Sequence, residues 1–447
     1  MCLALCACQD TVYKMADSLD EFLSGTEVDI KQTPNAIKEP EVSTYNGRKG
    51  DVVDIKVEEI PLDEMPSDKI SQGNGERDTS PVEYENRKVG TFHAEELDNI
   101  KSLSEDEIRN AQRKAKGRYY YEIMDASDKQ IYCEILYILM EMGEETKLST
   151  LSETQVERVF NLLLDDVPDL FYVSGYACTR YTLGDELKTI TFSGTYTMEK
   201  DKKADYEKKI DEAYGRFLAS FREAYPNGAD DYHTIKYIYE YIIINTAYDL
   251  NAPDNQNIIS SMINHQSVCA GYAREFQYLT EKLGFEGALV EGFVKENSGH
   301  AWNLIKADGD YYYVDATFGD PNYSTFDDRL PPINYEFLLA NEENLSKTHK
   351  FTNKELMPSC VSMADNYYIR EGRYFVSVDK DLLKTAFENA YNNGEDILML
   401  KMSDIDVYNG IWKYLIEEQN IFKLMKRKKE SVAYVESPDM CNMVFWL

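Results

Sequence analysis

The sequence predicts an α+β fold built around a helix that bears a cysteine, packed on an antiparallel sheet that bears a histidine and an aspartate. Three observations predict it. The stretch "SVCAGYAREFQYLTEKLG" from Ser267 has the spacing of a capped helix, and "GHAWNLIKADGDYYYVDAT" from Gly299 reads as two strands about a tight turn. Segments of mixed helical and strand character flank this pair, forming an N-terminal α+β domain and a small C-terminal α/β domain.

In the first stretch Ser267 is the expected N-cap, Tyr272, Phe276, Leu279 and Leu283 recur at helical spacing, and Gly284 supplies the stop. Cys269 then falls in the first helical turn. Unpaired backbone N–H groups and the positive end of the helix dipole stabilise a thiolate there, and the thiolate is the nucleophile. The same N–H groups can hold an oxyanion beside the sulfur.

In the second stretch Asp308-Gly309 is a type I′ turn dipeptide. A two-residue turn sets Ala307 opposite Asp310 and, counting outward, Trp302 opposite Asp315 and His300 opposite Thr317. Opposed residues share a face of the ladder, so His300 and Asp315 become diagonal neighbours, close enough for a carboxylate to reach an imidazole nitrogen. A slip of one residue would put them on opposite faces.

Taken singly, Cys269 reads as a small buried side chain and His300 as a satisfied core histidine. Their order, helix placement and register together point to chemistry. Cys269 would attack an acyl carbon, His300 would pair with the thiolate and then protonate the leaving group, and Asp315 would fix the histidine tautomer.

The blocks Val268-Cys269-Ala270-Gly271-Tyr272-Ala273, His300-Ala301-Trp302-Asn303 and Val314-Asp315-Ala316-Thr317, followed by Asp320, resemble the transglutaminase-like superfamily of papain-like cysteine enzymes. The upstream "YIIINTAYD" ending in Tyr248-Asp249 looks like that family's helix before the cysteine. The likeness is to the bacterial surface or lipoprotein type. It implies Cys269, His300 and Asp315 as the triad, with Trp302, Asn303 and Tyr272 as shell or substrate-binding residues. Ser267 stands where the family commonly has glycine. The resemblance does not locate a second oxyanion donor, for which Gln266 and Asn245 are candidates. It implies a thiol enzyme acting on peptide or glutamine-type amide bonds through an acyl-enzyme, ending in hydrolysis or in amine transfer. The competing reading is a noncatalytic cell-surface binding or structural protein on the same scaffold. No EF-hand loop is present, and neither a metal nor a cofactor is expected.

The whole chain bounds these readings. Its 447 residues carry 80 acidic and 48 basic side chains, a net charge of −32, which excludes nucleic acid as a partner because phosphates need cations. The expected partner is a protein or peptide substrate, a cell-wall peptide among the choices. Eight cysteines occur with no CxxC and none at zinc-ligand spacing from a histidine, so neither a structural zinc site nor a dense disulfide framework is expected. No run of eighteen apolar residues marks a membrane span. "LCAC" at Leu5 to Cys8 resembles a lipobox, making Cys8 a lipidation candidate and the location extracytoplasmic, anchored or secreted, in a bacterium; only seven residues precede that cysteine.

Along the chain, residues 1–98 read as a signal remnant and an acidic tether, with too little apolar surface to offset the entropy of ordering. The N-terminal domain, 99–228, opens with "EDEIRNAQRKAKGRYYYEIM" and "KQIYCEILYILMEM" as helices. "DLFYVSGYACTRYTLGDELKTITFSGTYTM" follows as strands and "DKKADYEKKIDEAYGRFLASF" as a helix. The catalytic domain, 229–358, begins with a helix that puts Ile235, Ile238, Tyr239 and Ile242 on one stripe, packed behind the cysteine segment. The C-terminal domain, 359–447, reads as strands "NYYIREG" and "RYFVSV", a helix Lys380 to Ala390, a strand "DILMLKM", a helix "IWKYLIEEQ", and strands "SVAYVE" and "NMVFWL". The basic run Lys426 to Lys429 reads as a solvated turn.

Overall fold

The computed structural model describes residues 99–183, 186–294, 298–320, 333–426 and 432–447. Cys8, the acidic tether and Arg427 to Lys429 of the basic run lie outside them; Lys426 is exposed.

The first helices follow their caps. Helix α1 (Glu105–Ala115) opens on a reciprocal capping box between Ser104 and Glu107. A separate short helix, α2 (Tyr119–Ile123), completes the segment expected as one helix. In α3 (Ala126–Glu141) Asp125 caps the start, and Ile131, Tyr132, Ile135, Leu136, Ile138 and Leu139 are buried. Strand β1 (Thr146–Lys147) precedes α4 (Glu153–Asp166), a Ser152-capped helix that the sequence reading passed over. The aromatic stretch forms the expected strands, β2 (Val173–Leu183) and β3 (Glu186–Tyr196), antiparallel in a sheet of order β1-β3-β2. Helix α5 (Lys200–Ala224) follows.

The central segment carries the site. Helix α6 (Asp231–Asn245) buries Ile235, Ile238, Tyr239 and Ile242 completely and packs against the cysteine helix. Strand β4 (Ala247–Tyr248), helix α7 (Ile258–Met262) and strand β5 (Gln266–Ser267) lead into the cysteine helix α8 (Cys269–Lys282). Then come β6 (Gly287–Val294), β7 (Ser298–Ala307), β8 (Asp310–Val314), and short helices α9 (Ala316–Gly319) and α10 (Glu342–Leu345). Strand β9 (Lys350–Phe351) closes an antiparallel sheet of order β8-β7-β6-β9.

The turn between β7 and β8 is the one its residues dictate, with φ of 48° at Asp308 and 92° at Gly309. The register follows: Ala307 pairs with Asp310, and the ladder runs out to Asn303 opposite Val314. It stops there, which corrects the expected pairs Trp302–Asp315 and His300–Thr317. Asp315 leaves the strand as the N-cap of α9, and His300 faces Gly292 of β6 instead.

Ser267 is also corrected. Strand β5 pairs in parallel with β4, Ser267 opposite Tyr248, so Ser267 is extended backbone and Val268 is the N-cap of α8, with no side-chain cap bond. The Ser267 hydroxyl turns inward to Ser260 Oγ at 2.6 Å and the Asn255 carbonyl at 3.0 Å.

Helix α8 is held from its middle to its far end by the N-terminal helices. Arg274 donates to the Leu164 carbonyl at 2.7 Å and Gln277 to that of Asp165 at 2.8 Å, while Arg118 reaches the Asp166 carbonyl and the Glu281 carboxylate. These side chains satisfy carbonyls that the end of α4 leaves without helical partners. One apolar core extends from Ala111 through the central segment to Val444.

In the last segment α11 (Tyr367–Arg370) is a helix where "NYYIREG" reads as a strand; the Asn366 side chain caps it. Strand β10 (Tyr374–Phe375), helix α12 (Lys380–Asn393), strand β11 (Ile397–Met402), helix α13 (Ile405–Trp412), helix α14 (Ile421–Leu424), and strands β12 (Tyr434–Ser437) and β13 (Asn442–Trp446) complete it. The sheet order is β10-β11-β13-β12, and its helices share a second core around Phe387, Leu400 and Phe445.

Candidate active site

Cys269 is the first residue of α8. The Val268 carbonyl takes the Gly271 amide at 2.9 Å and the Tyr272 amide at 3.2 Å, so the Cys269 and Ala270 amides stand at the bare helix tip. The side chain that could have capped them, Ser267, is engaged elsewhere. A Cβ on Gly271 would meet the Ser267 hydroxyl at 1.8 Å, so serine at 267 is accommodated by glycine one helical turn later.

The His300 Nε2 lies 2.7 Å from Asp315 Oδ2. Helix α8 packs on β7, and Cys269 adds to the electrostatic pull that favours the charged form of the same ring. With Nε2 engaged by the carboxylate, Nδ1 is the nitrogen left to the sulfur. Asp315 is held at both oxygens: Oδ1 accepts the Thr317 and Phe318 amides at 2.9 and 3.0 Å, and its own amide donates to the Phe337 carbonyl. Cys269, His300 and Asp315 are 3%, 4% and 1% exposed. The structure thus brings all three together, through a cap rather than through the expected strand pair.

Burial opposes a charged His300, but Asp315 and Cys269 outweigh it and push its pKa up to about 10. Burial likewise opposes the Asp315 carboxylate, and the two imidazoles on it hold its pKa far below the usual range. The second imidazole belongs to His349, which the sequence reading did not single out. Its Nε2 lies 2.9 Å from the same Oδ2, and burial together with the His300 charge holds its pKa below the ordinary value despite Asp315.

One nitrogen of each histidine and an oxygen of Asp315 lie within 4.8 Å of one another. Both nitrogens sit at hydrogen-bond distance from Oδ2, closer than the roughly 3.3 Å between ligands of a tetrahedral zinc. The trio is a hydrogen-bonded cluster.

The remaining candidates divide. Trp302 is fully buried, its ring 6.0 Å from His300 and 4.9 Å from His349, and it packs over Gly292, where a Cβ would meet the indole at 2.4 Å and the Lys350 carbonyl at 2.1 Å. Asn303 ties sheet to helix, donating from Nδ2 to the Ala273 carbonyl at 2.9 Å. The Tyr272 hydroxyl sits 2.7 Å from both the Thr246 carbonyl and Asp320 Oδ2, joining α8 to the ends of α6 and α9. Gln266 is exposed on β5, and the Asn245 amide bends back to the Tyr241 carbonyl at 2.7 Å on its own helix.

Among the described residues all five cysteines are free thiols, and no helix is long and apolar enough to cross a membrane. Residues 221–316, which include all three triad candidates, match the family model described as the transglutaminase-like superfamily. No curated protein matches the chain. Among solved structures it is similar to one described as a TGase, with 12% identity, 41% of this chain and 53% of that chain covered, and a TM-score of 0.23. It is also similar to a candidate cysteine protease from Cytophaga hutchinsonii, with 14% identity, 32% and 61% covered, and a TM-score of 0.21. A candidate protease from Parabacteroides distasonis gives 9% identity, 32% and 36% covered, and a TM-score of 0.19. The chain spans between 36% and 61% of the length of these three.

Proposed function

We propose a cysteine acyl-transfer activity on peptide or glutamine-type amides for this chain, whose residues 221–316 match the transglutaminase-like superfamily model. The observation that carries the reading is the Cys269–His300–Asp315 chain: a sulfur at a helix tip, an imidazole beside it, and a fully bonded carboxylate behind the imidazole. A His300 that keeps its proton to about pH 10 favours a thiolate–imidazolium pair.

In this mechanism the Cys269 sulfur attacks the amide carbon, a C–S bond forms, and the carbonyl pair moves onto oxygen. The Cys269 and Ala270 amides at the tip of α8 are placed to receive that negative charge. Collapse of the intermediate breaks the C–N bond, and His300 gives its proton to the departing nitrogen. The neutral imidazole then takes a proton from water or from an amine as either attacks the thioester carbon; the C–S bond breaks, the acid or new amide leaves, and the thiolate–imidazolium pair is restored. The shared acyl-enzyme accounts for both outcomes, hydrolysis and amine transfer. A protein or peptide substrate fits this chemistry, and a cell-wall peptide is one class to try.

The test is incubation with a glutamine-containing peptide, with and without a primary amine, followed by mass spectrometry. The reading expects a thioester adduct on Cys269 and either a deamidated or cleaved product, or an amine conjugate. Absence of adduct and product across a peptide panel, with Cys269 no more reactive than other thiols, leaves a noncatalytic scaffold.

A further inference from the structure

We infer that His349 is a positioning residue of this site: as a neutral imidazole it donates Nε2–H to Asp315 Oδ2 and holds that oxygen on His300. The role rests on the reading of Cys269 and His300 as a reactive pair, but the contact itself does not.

An ionised carboxylate can only accept, so the His349 nitrogen 2.9 Å from Oδ2 must carry a proton. The other nitrogen, Nδ1, lies 2.7 Å from the Thr348 hydroxyl; the Leu345 carbonyl, 3.2 Å from that hydroxyl, already accepts the Thr348 and His349 amides, which leaves the hydroxyl proton for Nδ1. One neutral tautomer therefore satisfies both ends of the ring. A second proton would put two imidazolium ions on one carboxylate in a site walled by Trp302, Phe318 and Phe337, with ring centroids 4.9, 4.8 and 5.7 Å from His349. Burial and the neighbouring His300 both oppose that charge.

The geometry explains why a second donor matters. The α9 amides fix Oδ1, while among the described residues Oδ2 is bonded by the two imidazole rings. A neutral donor adds direction without adding charge, so the single negative charge of Asp315 remains available to His300. Strand β9 supplies the placement. Phe351 pairs with Gly292, which in turn pairs with His300, so the residue just before β9 falls beside the catalytic ring.

The test uses the full chain, selectively labelled with ¹⁵N-histidine, which gives only five ring systems to assign. Wild-type protein near neutral pH is expected to show His349 neutral with its proton on Nε2, and His300 titrating near pH 10. Loss of one neutral hydrogen bond to the carboxylate should lower the His300 midpoint by about one pH unit in His349→Leu. His349→Gln, whose side-chain amide can still donate to Oδ2, should restore it to within about half that shift. A proton on Nδ1 of His349, a His300 midpoint unmoved in His349→Leu, or equal shifts in both variants overturns the inference. Should His349→Leu not fold, the wild-type tautomer and the His349→Gln midpoint still decide. Failure of the enzyme reading is separate: it appears as ordinary Cys269 alkylation in wild-type protein and leaves these spectra unchanged.

Discussion

The Asp315 carboxylate receives four hydrogen bonds, two from amides and two from imidazoles. Such a group orients its neighbour by geometry as much as by charge. Asp315→Asn keeps the shape but presents an amide donor where His300 and His349 need an acceptor. Its acylation rate should fall by about 10³- to 10⁴-fold with little change in peptide binding, measured by single-turnover kinetics. The pH dependence follows from the same pair. His300 titrates near 10 in the fold, against about 6.5 when free, so its contribution to stability is complete below pH 6.5 and fades as pH rises through 10. Asp315 acts in the opposite sense: its contribution is present above about pH 4 and is lost as acid titrates the carboxylate. Urea unfolding at about pH 7, 9 and 10.5 should show stability declining across that range, and His300→Ala should flatten the decline. The Asp-Gly turn made the β7–β8 register legible as far as Asn303 opposite Val314, but the His300–Asp315 contact forms one residue beyond that ladder, through the cap of α9, which the turn does not announce. His349 was not legible, because its link to Asp315 spans 34 residues and depends on the long-range β6–β9 pairing, which no turn announces.

Elements succeeded or failed as sequence signals by how local their causes are. Helix α6 and strand β7 carry their own periodicity and formed as read, and β8 took the register set by its turn but ends at Val314, short of the expected strand. Ser267 failed as a cap because the parallel β4–β5 pair, between residues far apart in sequence, claimed its backbone. Tyr367–Arg370 read as strand from its aromatic residues, yet Asn366 caps it as a helix, and Tyr367 stacks on Tyr335 with centroids 4.0 Å apart. Gly292 shows what one element requires of another. Its missing Cβ lets the Trp302 ring and the Lys350 carbonyl approach over β6. Gly292→Ala should cost about 1–3 kcal/mol by overpacking and should slow Cys269 alkylation, because relief requires β9, and with it His349, to shift. Thermal unfolding and alkylation kinetics on the same sample check both effects.

At the scale of the molecule, the segments on either side brace the central one. Arg118, Arg274 and Gln277 fasten α8 to the end of α4. From the other side the Lys401 ammonium on β11 pairs with Glu336 and donates to the Met440 carbonyl at 2.7 Å, both charged groups deeply buried. Glu336 adjoins Phe337, whose carbonyl receives the Asp315 amide. Lys401→Ala strands a buried carboxylate and should cost about 3–5 kcal/mol, whereas Lys401→Met with Glu336→Gln should recover most of it. Differential scanning calorimetry of the three proteins checks this. Composition alone gives the acidic character of the chain. It could not foretell this bracing, which joins residues that no local pattern relates.

The central claim is that Cys269 is a nucleophile activated by His300. It is tested most directly by alkylating the folded chain near neutral pH and following each cysteine by peptide mass spectrometry. Cys133 and Cys360 are controls that are also buried. Cys269 is expected to react at least about tenfold faster than either control, and His300→Ala is expected to remove the difference. Equal rates at Cys133, Cys269 and Cys360 in the wild-type protein would contradict it.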